Sequence, residues 1–177
     1  MEQEAGNVLP QIARQSLEAA FCGDAEKPAF ATEGILGEQH GVFVTIRGLH
    51  RKLRGCVGTL TPHFANTAEE TWHVVRDAAF RDGRFRPVGA KELENLCFEV
   101  SVLMPLEEIA SPADLDPQRY GVVLTTEDGR RGLLLPDVKG VKTVEEQLAG
   151  ARYKGGIYED EPVRIQRFAV MKFREGD

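Results

Sequence analysis

Two glycines, Gly55 and Gly58, flank Cys56 inside a segment, Leu53-Arg54-Gly55-Cys56-Val57-Gly58-Thr59, that otherwise reads as a β-strand. Glycine weakens a strand, and it is kept there where a bulge forms or where another backbone or a ligand comes too close for a Cβ. A fold for this chain therefore has to bring something against this strand at short range. Alternation puts Leu53, Gly55 and Val57 on one face and Arg54, Cys56 and Gly58 on the other. The thiol then shares its side with a guanidinium two residues away, and a nearby cation favours the reactive thiolate. Free cysteine is also among the most buried residue types, so the strand alone leaves a structural and a functional reading of Cys56 both open.

The rest of the chain supplies helices and further strands. Leu9, Ile12, Ala13, Leu17, Ala20 and Phe21 recur at helical spacing from Val8 to Cys22, with Pro10 suited to a first turn and Gly23 to a stop. Asp24 to Gln39 reads as a connecting loop. Gly41 to Arg47 alternates and pairs with Leu53 to Thr59 as a hairpin. Thr67-Ala68-Glu69-Glu70 has capping-box spacing and opens a helix to about Arg81, with Trp72 in its apolar stripe, that breaks at Asp82-Gly83. Leu96 to Met104 is the clearest strand. Ser111 to Pro117 is a loop, and Val122–Thr125 and Arg131–Leu135 flank the hairpin signal Asp128-Gly129. Thr143 opens a helix that runs to about Tyr153, stopped by Gly155-Gly156, and Val163 to Phe173 reads as one last strand. The pattern predicts an α+β domain over residues 1–177, with a mainly antiparallel sheet flanked by helices.

A net charge of −6 lacks the basic footprint of a nucleic-acid surface. Arg47, His50, Arg51, Lys52 and Arg54 do form a basic run, as do Arg81, Arg84 and Arg86, but solvated faces commonly do so. Three widely spaced cysteines describe no disulfide framework, no apolar run reaches the ~18 residues of a membrane span, and Met1-Glu2-Gln3-Glu4 has no basic n-region of a signal peptide. The expectation is a cytoplasmic protein with reduced thiols.

Six segments in order, Gly41-Val42-Phe43-Val44-Thr45, Leu53 to Thr59, Ala79-Phe80-Arg81-Asp82-Gly83-Arg84-Phe85, Glu99 to Leu103, Arg131-Gly132-Leu133-Leu134-Leu135-Pro136 and Lys154-Gly155-Gly156, resemble the AMMECR family across almost the whole chain. The resemblance implies a larger and a smaller subdomain with a cleft between them. It also implies a pathway shared with Memo-like and radical-SAM proteins, and it names no reaction and no cofactor. The family's hallmark cysteine falls on Cys56, its LRG arginine on Arg54, its RF arginine on Arg84, its KxG lysine on Lys154, and a histidine common in bacterial relatives on His63. Arg86 intervenes before Pro87, so the loop after the RF element departs from the family pattern.

The sharpest chemical expectation is Cys56 as nucleophile, His63 as base, and Arg54, Arg84 and Lys154 as the groups that bind a small anionic or partner-borne substrate. Each has a plainer reading. Arg84 serves equally as an ion-pair partner of Asp82 or Glu99, Lys154-Gly155-Gly156 is in the wrong order for a P-loop and suits a helix C-cap, and Trp72 suits a core. Cys56, His50, His63 and His73 match no compact metal-ligand motif, so no metal is expected. Redox work with Cys22 or Cys97 requires the fold to bring them to Cys56. Two functions follow: an enzyme or accessory factor acting through Cys56 in the cleft, or a non-catalytic docking module.

Overall fold

A computed structural model of the chain describes residues 8–23 and 26–176. The acidic start and the first two residues of the expected loop from Asp24 lie outside the described residues. The chain forms two compact units, Met1–Leu103 with Met171–Asp177, and Met104–Val170.

The larger unit holds a four-stranded sheet in the order β2-β1-β3-β8, built from β1 (Val42–Arg47), β2 (Leu53–Gly58), β3 (Cys97–Leu103) and β8 (Val170–Arg174). β1 pairs antiparallel with both β2 and β3. Val42, Val44, Ile46, Phe98, Val100 and Val102 are buried, as their period of two requires. Helices α1 (Val8–Phe21) and α2 (Thr67–Phe80) pack on the sheet and bury Leu9, Ile12, Leu17, Trp72, Val75 and Ala78 against it.

Register then fixes the opposite face. Cys56 stands across from Thr45 and Thr45 from Glu99, while Arg47 stands across from Cys97, so the residues outside the core form a polar band on one side of the sheet. Gly55 points the other way, and a Cβ there would lie 2.2 Å from the Ala78 carbonyl oxygen of α2. A Cβ on Gly58 would lie 2.2 Å from the Phe43 ring. The close approaches that the two glycines demand are a helix backbone and an aromatic ring.

The smaller unit is a second antiparallel sheet, β4-β7-β5-β6, from β4 (Glu107–Glu108), β5 (Gly121–Thr125), β6 (Arg131–Leu134) and β7 (Arg164–Phe168), with α3 (Val144–Gly155) packed on β5 and β6. Its core is Leu115, Val122, Leu124, Leu134, Ala151 and Ile157. Thr143 and Glu146 make the expected capping box, and Gly156 ends α3 with φ +60°. A Cβ on Gly155 would meet Gly132 at 2.8 Å, so the glycines of two family motifs let helix and strand touch.

Two expectations need correction. The segment 163–173 is two strands broken at Ala169, β7 pairing with β4 and β5 and β8 standing next to β3. Its alternation is continuous, but period says nothing about which sheet a residue joins. Asn66, rather than Thr67, caps α2 by accepting from the Glu69 amide, because Thr67 donates its hydroxyl to the Glu38 carbonyl. The α+β class stands, though with two sheets instead of one.

Gly55→Val should destabilise the protein by about 3 kcal/mol, since the new side chain cannot avoid a helix carbonyl. Gly83→Ala, whose Cβ meets nothing within 4 Å, should stay within about 0.5 kcal/mol of wild type. Denaturant unfolding of both variants checks the pair.

Candidate functional site

β2 is an edge strand, so every second residue turns its N–H and C=O away from the sheet. The Thr59 amide donates to the Val42 carbonyl at 2.9 Å, and counting back in twos makes Cys56 one of the outward residues. Both of its backbone groups are nevertheless bonded. The Cys56 amide donates to Asp82 Oδ2 at 2.9 Å, and Arg84 Nη2 donates to the Cys56 carbonyl at 2.9 Å. Arg84 also grips Asp82 through Nε and Nη2 at 2.9 and 2.8 Å, and its own amide donates to Oδ1 at 3.2 Å. An ion pair from the turn after α2 thus takes the place of a neighbouring strand. The Arg84 fork is the main reason that the buried Asp82 carboxyl sits far below the ordinary carboxylate range; burial opposes it, and the Cys56 and Arg84 amides add to it.

The half-buried Cys56 side chain faces the polar band, where Thr45 Oγ1 lies 3.3 Å from Sγ. A pair not hydrogen-bonded through the backbone brings side chains close, which accounts for that contact. Arg54 is held by a second carboxylate. Its Nε and Nη2 meet Glu92 Oε2 and Oε1 at 2.8 and 3.0 Å, and Nη1 and Nη2 donate to the carbonyls of Arg86 and Pro87. Glu92 also accepts from the Gly89 amide. The Arg54 guanidinium first, and that amide second, hold the Glu92 carboxyl down to about 2. Past the end of β2, the fully buried Glu70 accepts from Thr59 Oγ1, the His63 amide and the Phe64 amide at 2.6, 2.7 and 2.9 Å.

The AMMECR1 family model matches residues 10–173. The chain belongs to the AMMECR1 family. A Thermotoga maritima relative is 43% identical over 143 residues, covering 80% of this chain and 82% of its own length. A Clostridium acetobutylicum protein is 40% identical over 168 residues, which span 93% of this chain and 35% of that longer protein. The crystal structure of the uncharacterized protein PH0010 from Pyrococcus horikoshii matches with a TM-score of 0.87 at 33% identity, over 99% of this chain and 94% of that one.

Within this AMMECR1 chain the expected site residues separate. Cys56 and Arg84 come together, bonded through the Cys56 carbonyl. Arg54 shares the thiol's face but is committed to Glu92 and to the chain around Pro87. His63 shares no hydrogen bond with Cys56 among the described residues; its ring is largely exposed, with Nδ1 3.9 Å from Glu70 Oε1. Lys154 is exposed in the last turn of α3, in the smaller unit. Trp72 is core, 3% exposed. His73 stacks on Phe64 at 3.9 Å, and burial, helped by Lys27 and Arg76, pushes its pKa down. No group of three or more His, Cys, Asp or Glu among the described residues is placed to hold a metal ion. Cys97 lies on β3, two strand spacings of about 4.8 Å from β2 and two residues along, too far from Cys56 for a disulfide. Sequence reasoning missed Thr45 and Glu92. The strand alternation and hairpin register point to Thr45, whereas nothing local marks Glu92.

Glu92→Gln should weaken the clamp on Arg54 and lower stability by about 1–2 kcal/mol at neutral pH. Because the folded carboxyl lies below its ordinary 4.5, its contribution is complete above about pH 4.5 and fades as pH falls toward 2. Urea unfolding at a series of pH values should therefore show the wild-type and Gln curves converging between about pH 4.5 and 2, not diverging.

Proposed function

We propose that this protein is a binding module that presents the Cys56 face of the larger unit to a partner-borne or small anionic group, acting in the cytoplasm with the Memo-like and radical-SAM proteins that the family resemblance implies. One observation carries the reading. The Cys56 backbone is fixed on both sides by the Asp82–Arg84 pair, while the polar neighbour of the thiol is a hydroxyl, Thr45. A nucleophilic cysteine needs a base within reach or a strongly favoured thiolate, and His63, expected as base, has its backbone amide on Glu70 and shares no hydrogen bond with Cys56 among the described residues. Rigid presentation, with no imidazole or carboxylate bonded to the thiol among the described residues, suits recognition. Arg84 stacks over the Phe85 ring but keeps Nη1 without a hydrogen-bond partner among the described residues, and its side chain is 59% exposed, so it can bind an incoming oxyanion without releasing Asp82. No helix among the described residues is long and apolar enough to cross a membrane.

A second reading, an enzyme or accessory factor working through Cys56, draws on the closeness of this residue to a guanidinium, since Arg84 Nη2 reaches the Cys56 carbonyl at 2.9 Å. Alkylation followed by mass spectrometry separates the two. The binding module predicts that Cys56 labels at pH 6 no faster than the exposed Cys22 and Cys97, and that a saturating Memo-like partner protects Cys56 while leaving Cys22 unchanged. Rapid labelling of Cys56 alone at pH 6, abolished by Arg84→Ala, would overturn the module and establish the enzyme reading.

A further inference from the structure

The basic run of the β1–β2 hairpin divides in the folded chain. Arg54 is engaged by Glu92, but Arg47 and Arg51 have no carboxylate partner among the described residues. They line a groove of about 390 Å³ together with Cys97, Glu99, Arg174 and Glu175. The two acids in it are already taken, Glu99 by Arg174 Nε at 2.6 Å and Glu175 by Arg14. Two guanidiniums are left uncompensated in a concavity within the size range of small-molecule sites.

The hairpin is bent so as to place them there. Its register shifts between Ile46 and Arg47, the kind of irregularity that re-aims a side chain, and Arg47 comes to stand across from Cys97 on β3. The tip, Leu49 to Lys52, is closed by the Lys52 amide on the Leu49 carbonyl at 3.3 Å. Both central residues, His50 and Arg51, have φ of 56°. Two positive φ values in succession make a type I′ turn, which favours Asn and Gly and strains other side chains. Glycine would relax position 51 and leave the groove without its guanidinium, whereas this chain keeps the arginine.

We propose that this groove binds a small oxyanion-bearing molecule, a phosphate ester or a carboxylate, between Arg47 and Arg51, with Cys97 at its edge. Planar guanidinium forks match both oxyanions with paired charge-assisted hydrogen bonds. Neither Cys56 nor Arg84 lines the groove, which lies on the same side of the sheet, and the proposal does not depend on the function assigned to that pair.

Inorganic phosphate and malonate, titrated separately into the full chain, test this by the amide NMR shifts of Arg47, Arg51 and Cys97. At least one anion should give saturable shifts, phosphate alone identifying a phosphate ester and malonate alone a carboxylate. Arg51→Gly and Arg47→Ala should each weaken that binding about tenfold, and Arg51→Gly should melt no lower than wild type because its turn is relaxed. Absence of saturable shifts with both anions, or unchanged affinity in both variants, would overturn the proposal.

Discussion

The carboxylate of Asp82 does for β2 what a neighbouring strand would otherwise do. A free edge leaves amides and carbonyls that water or another chain must satisfy, and here the outward groups of Cys56 are bonded by one ion pair placed two residues past the end of α2. The same helix is pressed against the inner face of β2 at Gly55, where only a hydrogen fits beneath the Ala78 carbonyl. Helix, turn and strand are thus fitted together at a single place. The LRGCVG and RDGRF segments, 20 residues and more apart in the chain, are two halves of one contact, and Arg54 with Glu92 extends it along the following loop.

This arrangement explains why the cysteine strand carries so many unusual residues without each being a reacting group. Gly55 admits the helix, Gly58 admits the Phe43 ring, Arg54 ties down the loop and Arg84 satisfies the edge. Outside these contacts stand the thiol with its Thr45 neighbour and Nη1 of Arg84, the groups that the proposed binding role would use. A surface so constrained loses little freedom on binding, and preorganisation of this kind raises affinity. The hairpin that carries Cys56 also carries Arg47 and Arg51 toward its tip, so one side of the sheet presents both the thiol and the arginine groove.

Much of the fold could be read from the sequence because it rests on local rules. The apolar spacing of Val8 to Phe21, the Asp128-Gly129 turn and the Thr143 capping box each declare themselves within a few residues, and the α+β class follows from their order. The demand for a close approach at Gly55 was legible as well, though not its source, since no local pattern says that a helix carbonyl will occupy the space. Arg54 shows the same limit. Alternation places its Cα on the thiol's face, yet a side chain that long reaches whichever acid the tertiary fold supplies, and that acid, Glu92, lies 38 residues away. The split of 163–173 between two sheets is hidden for a similar reason, because pairing partners are chosen by the assembled sheets and not by the strand's own period.

Native-state hydrogen exchange at the Cys56 amide tests the edge clamp most directly. On an uncovered edge this outward amide would exchange far faster than that of Val57, which alternation directs toward β1. The clamp predicts comparable protection of the two amides in the wild-type protein, and selective loss at Cys56 in Asp82→Ala with Val57 still protected. A Cys56 amide that exchanges freely in the wild type, or keeps its protection in Asp82→Ala, would contradict the account.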